Sequence, residues 1–167
     1  MSLIRLILED LEQARRYTSD MVDHVSDDMW FRQPAVGINH IAWQVGHITI
    51  AEYGLCLKRV RGVLPGDHEL CPIEDYARLF GKGSLPSSNP ADYPAPSEIL
   101  AAFAAIHDKV MEETSQLDPA VLEESAGVTH PMYSTKGDAL RFSPKHELLH
   151  VGQIGLLRRL FGAEILR

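Results

Sequence analysis

The sequence predicts an all-α fold, a four-helix bundle formed by a single domain over residues 1–167, and three observations carry that reading. Four long stretches repeat apolar residues at steps of three and four, as helices with one buried face do. No run of four to eight residues alternates apolar and polar in the manner of a half-buried strand. One Pro- and Gly-rich connection, between the second and third helices, is long enough to cross a bundle.

The first helix is expected over residues 3–22, with Leu3, Ile4, Ile7, Leu11, Ala14, Thr18 and Met21 on one face. The polar cluster Ser26-Asp27-Asp28, then Pro34 and Gly37, ends it. A second helix runs from Asn39, a suitable N-cap, to about Arg61, with Gly62 just past its end. Residues 62–96 hold six of the ten prolines and form the crossover, with one short helix from Pro72 to Phe80. The third helix opens at Ser97 as N-cap and stops before Asp118-Pro119. Pro119 to Gly137 reads as irregular. The last helix begins at Asp138, or restarts at Ser143-Pro144, and runs to about Phe161, where Gly162 stops it.

Composition narrows the function. With 16 basic and 23 acidic residues the net charge is −7, the wrong sign for gripping a nucleic-acid backbone. The start is apolar for only a few residues before acids and arginines intervene, so no secretory leader is expected. No run of about 18 apolar residues is available to span a membrane. Cys56 and Cys71 form no CxxC pair, which suits a reducing cytoplasm. Eight histidines are the compositional excess, and imidazole is both the commonest metal ligand and an acid/base at neutral pH.

Two of them form His146-Glu147-Leu148-Leu149-His150. Histidines at i and i+4 lie one turn apart on the same helix face and reach a single ion. Read literally, this is the HExxH signature of zinc proteases, with Glu147 as general base. That reading needs a further ligand downstream. The extended form would place Gly and His where Gln153 and Leu156 stand, and the distant-glutamate form finds only Glu164, past the helix stop. The third ligand is therefore expected upstream, and His47 is the best placed, on the apolar face of the second helix beside Gly46. Facing helices lie roughly 8–10 Å apart, so one histidine from the second can meet a pair from the fourth. Three imidazoles with open positions are the coordination of a catalytic metal.

The remaining candidates keep two readings each. His40 serves as a polar first-turn residue or as a support to the site. His107 is packed or surface-facing, His130 sits in a loop that can overhang the site, and His24 and His68 are solvated. Gln153 anchors a ligand histidine or a dimer seam. Glu147 is a base, a hydrogen-bond acceptor for a ligand, or a surface carboxylate. Arg158-Arg159 binds an anionic substrate or simply ends a helix in solvent.

The segment Asn39-His40-Ile41-Ala42-Trp43-Gln44-Val45-Gly46-His47-Ile48 resembles the second helix of DinB-like (YfiT-type) proteins. Gly137-Asp138-Ala139-Leu140, His146-x-x-x-His150-Val151-Gly152-Gln153-Ile154 and Leu157-Arg158-Arg159 resemble that family's last helix. The likeness extends over nearly the whole chain; Pro144, two residues before His146, departs from it. The resemblance implies an up-down-down-up bundle, a homodimer, and a divalent metal, zinc or nickel, held by His47, His146 and His150. It also implies thiol-dependent chemistry, in which S-transferases and isomerases use a low-molecular-weight thiol such as bacillithiol, mycothiol or glutathione. The expected function is a metal-dependent S-transferase or hydrolase-like activity on a small molecule. The alternative is a non-enzymatic metal-binding stress-response bundle that acts through a dimer or partner surface.

Overall fold

The computed structural model describes residues 2–166. Helix α1 (Leu3–Asp23) is capped by Ser2, whose hydroxyl accepts from the Arg5 N–H at 3.2 Å. It buries Ile7, Leu11, Ala14, Thr18 and Met21, the stripe that the three-and-four spacing picks out.

Helix α2 begins at Ile41 (Ile41–Glu52) with His40, not Asn39, as its cap: the His40 Nδ1 accepts from the Trp43 N–H at 3.0 Å. It continues through a π-helical turn (Tyr53–Lys58) into a last α turn (Arg59–Arg61), where Gly62 at φ +86° stops it. Such π turns are uncommon and often sit at functional sites. The crossover contains 3₁₀ turns at Pro65–Glu69 and Pro90–Asp92 and, between them, α3 (Ile73–Phe80).

Helix α3 lays the Phe80 ring directly on Gly46 of α2, where a Cβ would fall inside the ring's contact distance. Gly46→Ala is therefore expected to cost about 1–3 kcal/mol, because a buried aromatic ring, not a flexible side-chain end, must move. Urea unfolding measures this, and a loss below about 0.5 kcal/mol, the usual scatter of surface changes, would refute the close packing.

Helix α4 (Pro96–Ser115) starts two residues earlier than a Ser97 cap implies, with Ala95 as its cap. Pro96 occupies its first position and the Glu98 carboxylate reaches back to the Ala95 N–H at 2.8 Å.

The stretch expected to be irregular holds an antiparallel hairpin, β1 (Ser125–His130) and β2 (Tyr133–Thr135). Its strands bury only Ala126 and Tyr133, so no apolar alternation marks them in the sequence. Helix α5 (Lys136–Leu160) begins ahead of Asp138 and does not restart at Ser143-Pro144. A capping box explains its start: the Thr135 hydroxyl accepts from the Asp138 N–H at 3.1 Å and the Asp138 carboxylate from the Thr135 N–H at 3.4 Å. Pro144 removes one intrahelical donor without breaking the helix, and Gly162 at φ +90° follows its end.

The chain is thus mostly helical, with one small two-stranded sheet. Partners along α1 and α5 rise together in number: Arg15 with Glu147, Met21 with Gly155, His24 with Arg158. Along α2 and α5 they run oppositely, with Gln44 on Gln153, His47 near His150, and Glu52 and Glu147 on the same Arg15 guanidinium. Buried side chains from all five helices and the hairpin join in one cluster. Among the described residues no helix is long and apolar enough to cross a membrane.

Candidate metal centre

Three half-buried imidazoles meet where α2 faces α5. His47, His146 and His150 each offer a ring nitrogen, and these lie within 4.8 Å of one another. The support of two of the rings decides which nitrogen is offered. His47 Nδ1 lies 2.7 Å from the Phe80 carbonyl, which can only accept, so Nδ1 carries the proton and Nε2 keeps its lone pair. His150 Nδ1 lies 2.6 Å from Gln44 Oε1, and the Gln44 amide in turn donates to Gln153 Oε1 at 2.9 Å. That leaves His150 Nε2 as an acceptor too, and it stands 3.3 Å from His146 Nε2. Two nitrogens bound at 2.0–2.1 Å to one tetrahedral ion lie about 3.3 Å apart, so the spacing suits a shared cation.

Packing fixes these rings further. Trp43 stacks on His47 at 4.6 Å between centroids and 7° between planes, and its indole N–H donates to Ser84 at 2.8 Å. Phe142 lies 5.9 Å from His146, and Tyr133 of the hairpin backs Phe142 at 5.7 Å. His130 stacks on Tyr133 at 4.1 Å and lies 5.6 Å from Phe142, so it reaches the site only through the Phe142 ring.

Electrostatics keep the triad neutral and ready to ligate. Burial pushes His146 down to about 4, helped by the charge on His47. His150 falls to about 3 through burial and then through both neighbouring histidines. His47 is lowered by burial, against the opposing pull of the Phe80 carbonyl. Neutral imidazole is the metal-binding form.

Gln44 is a support that motif reading alone does not single out. Gln44→Leu should leave the three ligands in place but free the His150 ring, weakening zinc binding about 10–100-fold. A competition titration against a zinc chelator reads this directly, and unchanged affinity would remove Gln44 from the site.

Glu147 does not join the histidines. Its residue is 2% exposed, and its carboxylate accepts from Thr18 at 2.5 Å and from Arg15 Nε at 3.1 Å. Arg15 also donates to Glu52 at 2.5 Å and to the Phe103 carbonyl at 2.6 Å, while His107 Nδ1 lies 2.8 Å from Glu52. Each of α1, α2, α4 and α5 thus contributes to one buried polar cluster. Burial raises Glu147, with the Glu52 charge adding to it against Arg15. Burial opposes ionisation of Glu52 as well, but Arg15 and His107 outweigh it and hold that carboxyl low. A charged residue inside each apolar stripe, Arg15 beside Ala14 and Glu52 after Ala51, is the sequence signal for this cluster.

His40 is fully buried, packed edge-on against Tyr93 at 4.8 Å and Phe31 at 5.4 Å, and burial lowers it to about 4. The unfolded chain takes up this proton near 6.5, the folded chain only near 4, so stability is complete above pH 6.5 and declines as pH falls from there to 4. His40→Asn, which retains a capping side chain, should flatten that decline by about 2–3 kcal/mol between pH 7 and 4.5. Denaturant melts of both proteins at the two pH values test it, and equal slopes would sink it.

Fold and site together define a helical protein carrying a three-histidine cluster between two facing helices. The chain belongs to the DinB superfamily, whose family model matches residues 10–154, and members of that superfamily typically bind a metal. No curated protein matches the chain.

Proposed function

We propose that the protein is a divalent-metal-dependent enzyme acting on a small molecule, as a thiol-dependent S-transferase or in a hydrolase-like reaction. The observation that carries this reading is the convergence of Nε2 atoms whose Nδ1 partners are already engaged at His47 and His150. Zinc or nickel suits three imidazoles. A cation so held supplies a Lewis acid that makes a thiol or water nucleophilic at neutral pH. His47, His146 and His150 would hold it, Phe80 and Gln44 orient two of those rings, and Trp43 shields one face of His47. In this reading Glu147 positions α5 and transfers no proton, because Arg15 and Thr18 already occupy its oxygens.

The order of contacts along the helices supports an up-down-down-up arrangement of α1, α2, α4 and α5. The solvent-exposed leucines Leu149, Leu156 and Leu160 of α5 support a homodimer, checked by light scattering on the purified protein. Metal analysis followed by turnover assays with glutathione, mycothiol or bacillithiol and a panel of electrophiles and esters tests the activity. Metal binding without turnover across that panel would favour the non-enzymatic metal-binding alternative, and a protein that takes up neither zinc nor nickel would overturn both.

A further inference from the structure

Arg158 and Arg159 close α5, and only Arg159 is exposed. Arg158 retains 3% of its surface. A guanidinium does not give up its proton, so the full charge is carried inside. Arg15, also buried, meets two carboxylates. Arg158 meets none among the described residues. Its Nη1 donates to the Met21 thioether at 3.1 Å, its Nη2 to the His24 carbonyl at 3.3 Å, and its enclosed Nε has no partner among those residues. A thioether is a weak acceptor, and the carbonyl at the end of α1 offers only the partial charge of a helix terminus. A buried charge with so little compensation is costly to the fold.

The same side chain walls a cavity of about 240 Å³ between α1 and α5, together with Tyr17, Gly152, Gly155, Arg159 and Glu164. A Cβ at Gly152 would touch nothing. A mid-helix glycine weakens a helix, and neither backbone conformation nor a close neighbour requires this one; what it leaves is space in the cavity.

We infer that this cavity is an anion site, distinct from the histidine cluster, that takes a small oxyanion, a phosphate or a carboxylate. Arg158 supplies the buried cation, whose planar fork matches both groups. Arg159 and Tyr17, both exposed, also line it, and the volume limits the ligand to a small one. Along α5, Arg158 lies about 12 Å beyond His150, and its contacts are with α1, not α2. Glu164 lines the cavity without pairing to Arg158, so the chain's own carboxylate competes with an incoming anion.

The test is thermal denaturation and titration calorimetry of the full chain with inorganic phosphate and, separately, succinate, against chloride at equal ionic strength. The melting midpoint of the natural protein should rise saturably with at least one of them, and the anion that saturates at the lower concentration names the class. Arg158→Met should abolish that rise while melting, without anion, no lower than the natural protein, since an uncompensated charge has been removed. Glu164→Gln should bind the anion several-fold more tightly. Gly152→Leu fills the cavity without touching the charge and should weaken binding at least tenfold, which keeps the test decisive if Arg158→Met fails to fold. No rise beyond chloride, or an equal rise in Arg158→Met or Gly152→Leu, overturns the site.

Discussion

Replacing His47, His146 or His150 by alanine, one at a time, is expected to weaken zinc or nickel binding by more than about 100-fold, whereas His130→Ala leaves it unchanged. Removing even a group that only orients a ligand costs 10–100-fold, so removing a ligand itself sets the lower bound at the top of that range. A 100-fold loss corresponds to about 2.7 kcal/mol of binding free energy. The effect should be shared by all three positions because each ring offers one nitrogen to the same point. His130 is the proper control: it is exposed on the hairpin and separated from His146 by the Phe142 ring. The same argument predicts that a strong chelator lowers the melting midpoint of the loaded protein and shifts the His130→Ala variant equally. With free metal near 1,000 times its dissociation constant, the bound ion adds about 4 kcal/mol to the folded state. Alanine variants that bind as tightly as the natural protein would dissolve the proposed centre, and with it the enzymatic reading.

The histidine arrangement is legible in the sequence because helix geometry is local. An i, i+4 pair must share a face, and His47 stands in an apolar stretch that has to pack against something. The hydrogen bonds that orient the His47 and His150 rings are less legible. Gln44 and Gln153 stand 109 positions apart, and the carbonyl that holds His47 belongs to Phe80 at the end of the crossover helix. Neither follows from spacing; both follow from how α2, α3 and α5 pack. The cap at His40 illustrates a smaller ambiguity, since Asn39 has the better intrinsic preference and loses to a histidine held between Phe31 and Tyr93. The hairpin escapes notice because a pair of short strands with one buried residue each carries no period-2 signal. Pro144 misleads in the other direction. Proline suggests a helix start there, but Thr135 and Asp138 have already closed a capping box upstream, and a single lost donor does not reverse that.

The buried cluster around Arg15 yields the largest stability change. Arg15→Met should destabilise the fold by about 3–5 kcal/mol, because it strands Glu52 and Glu147 in the interior without their cation. For a chain of this length that corresponds to a fall of about 10 °C or more in melting midpoint. The loss belongs to the stranded charges and not to the ion pairs as such, so it should be reversible by removing them. In the triple variant Arg15→Met, Glu52→Leu, Glu147→Leu, most of the stability should return, since apolar groups of similar volume satisfy the same space without desolvating charge. Thr18 and His107 would then each lose a carboxylate partner, which caps the recovery. Metal binding separates the two roles of the cluster. If Glu147 and Arg15 also set the placement of α5 against α2, the triple variant will refold yet bind zinc more weakly, because His146 and His150 ride on the same helix. If it refolds and binds zinc as the natural protein does, apolar packing alone places α5, and the cluster governs stability without touching the site. A triple variant no more stable than Arg15→Met would contradict the account, because the cost would then lie in lost packing against Phe103, over whose ring the guanidinium sits at 3.4 Å.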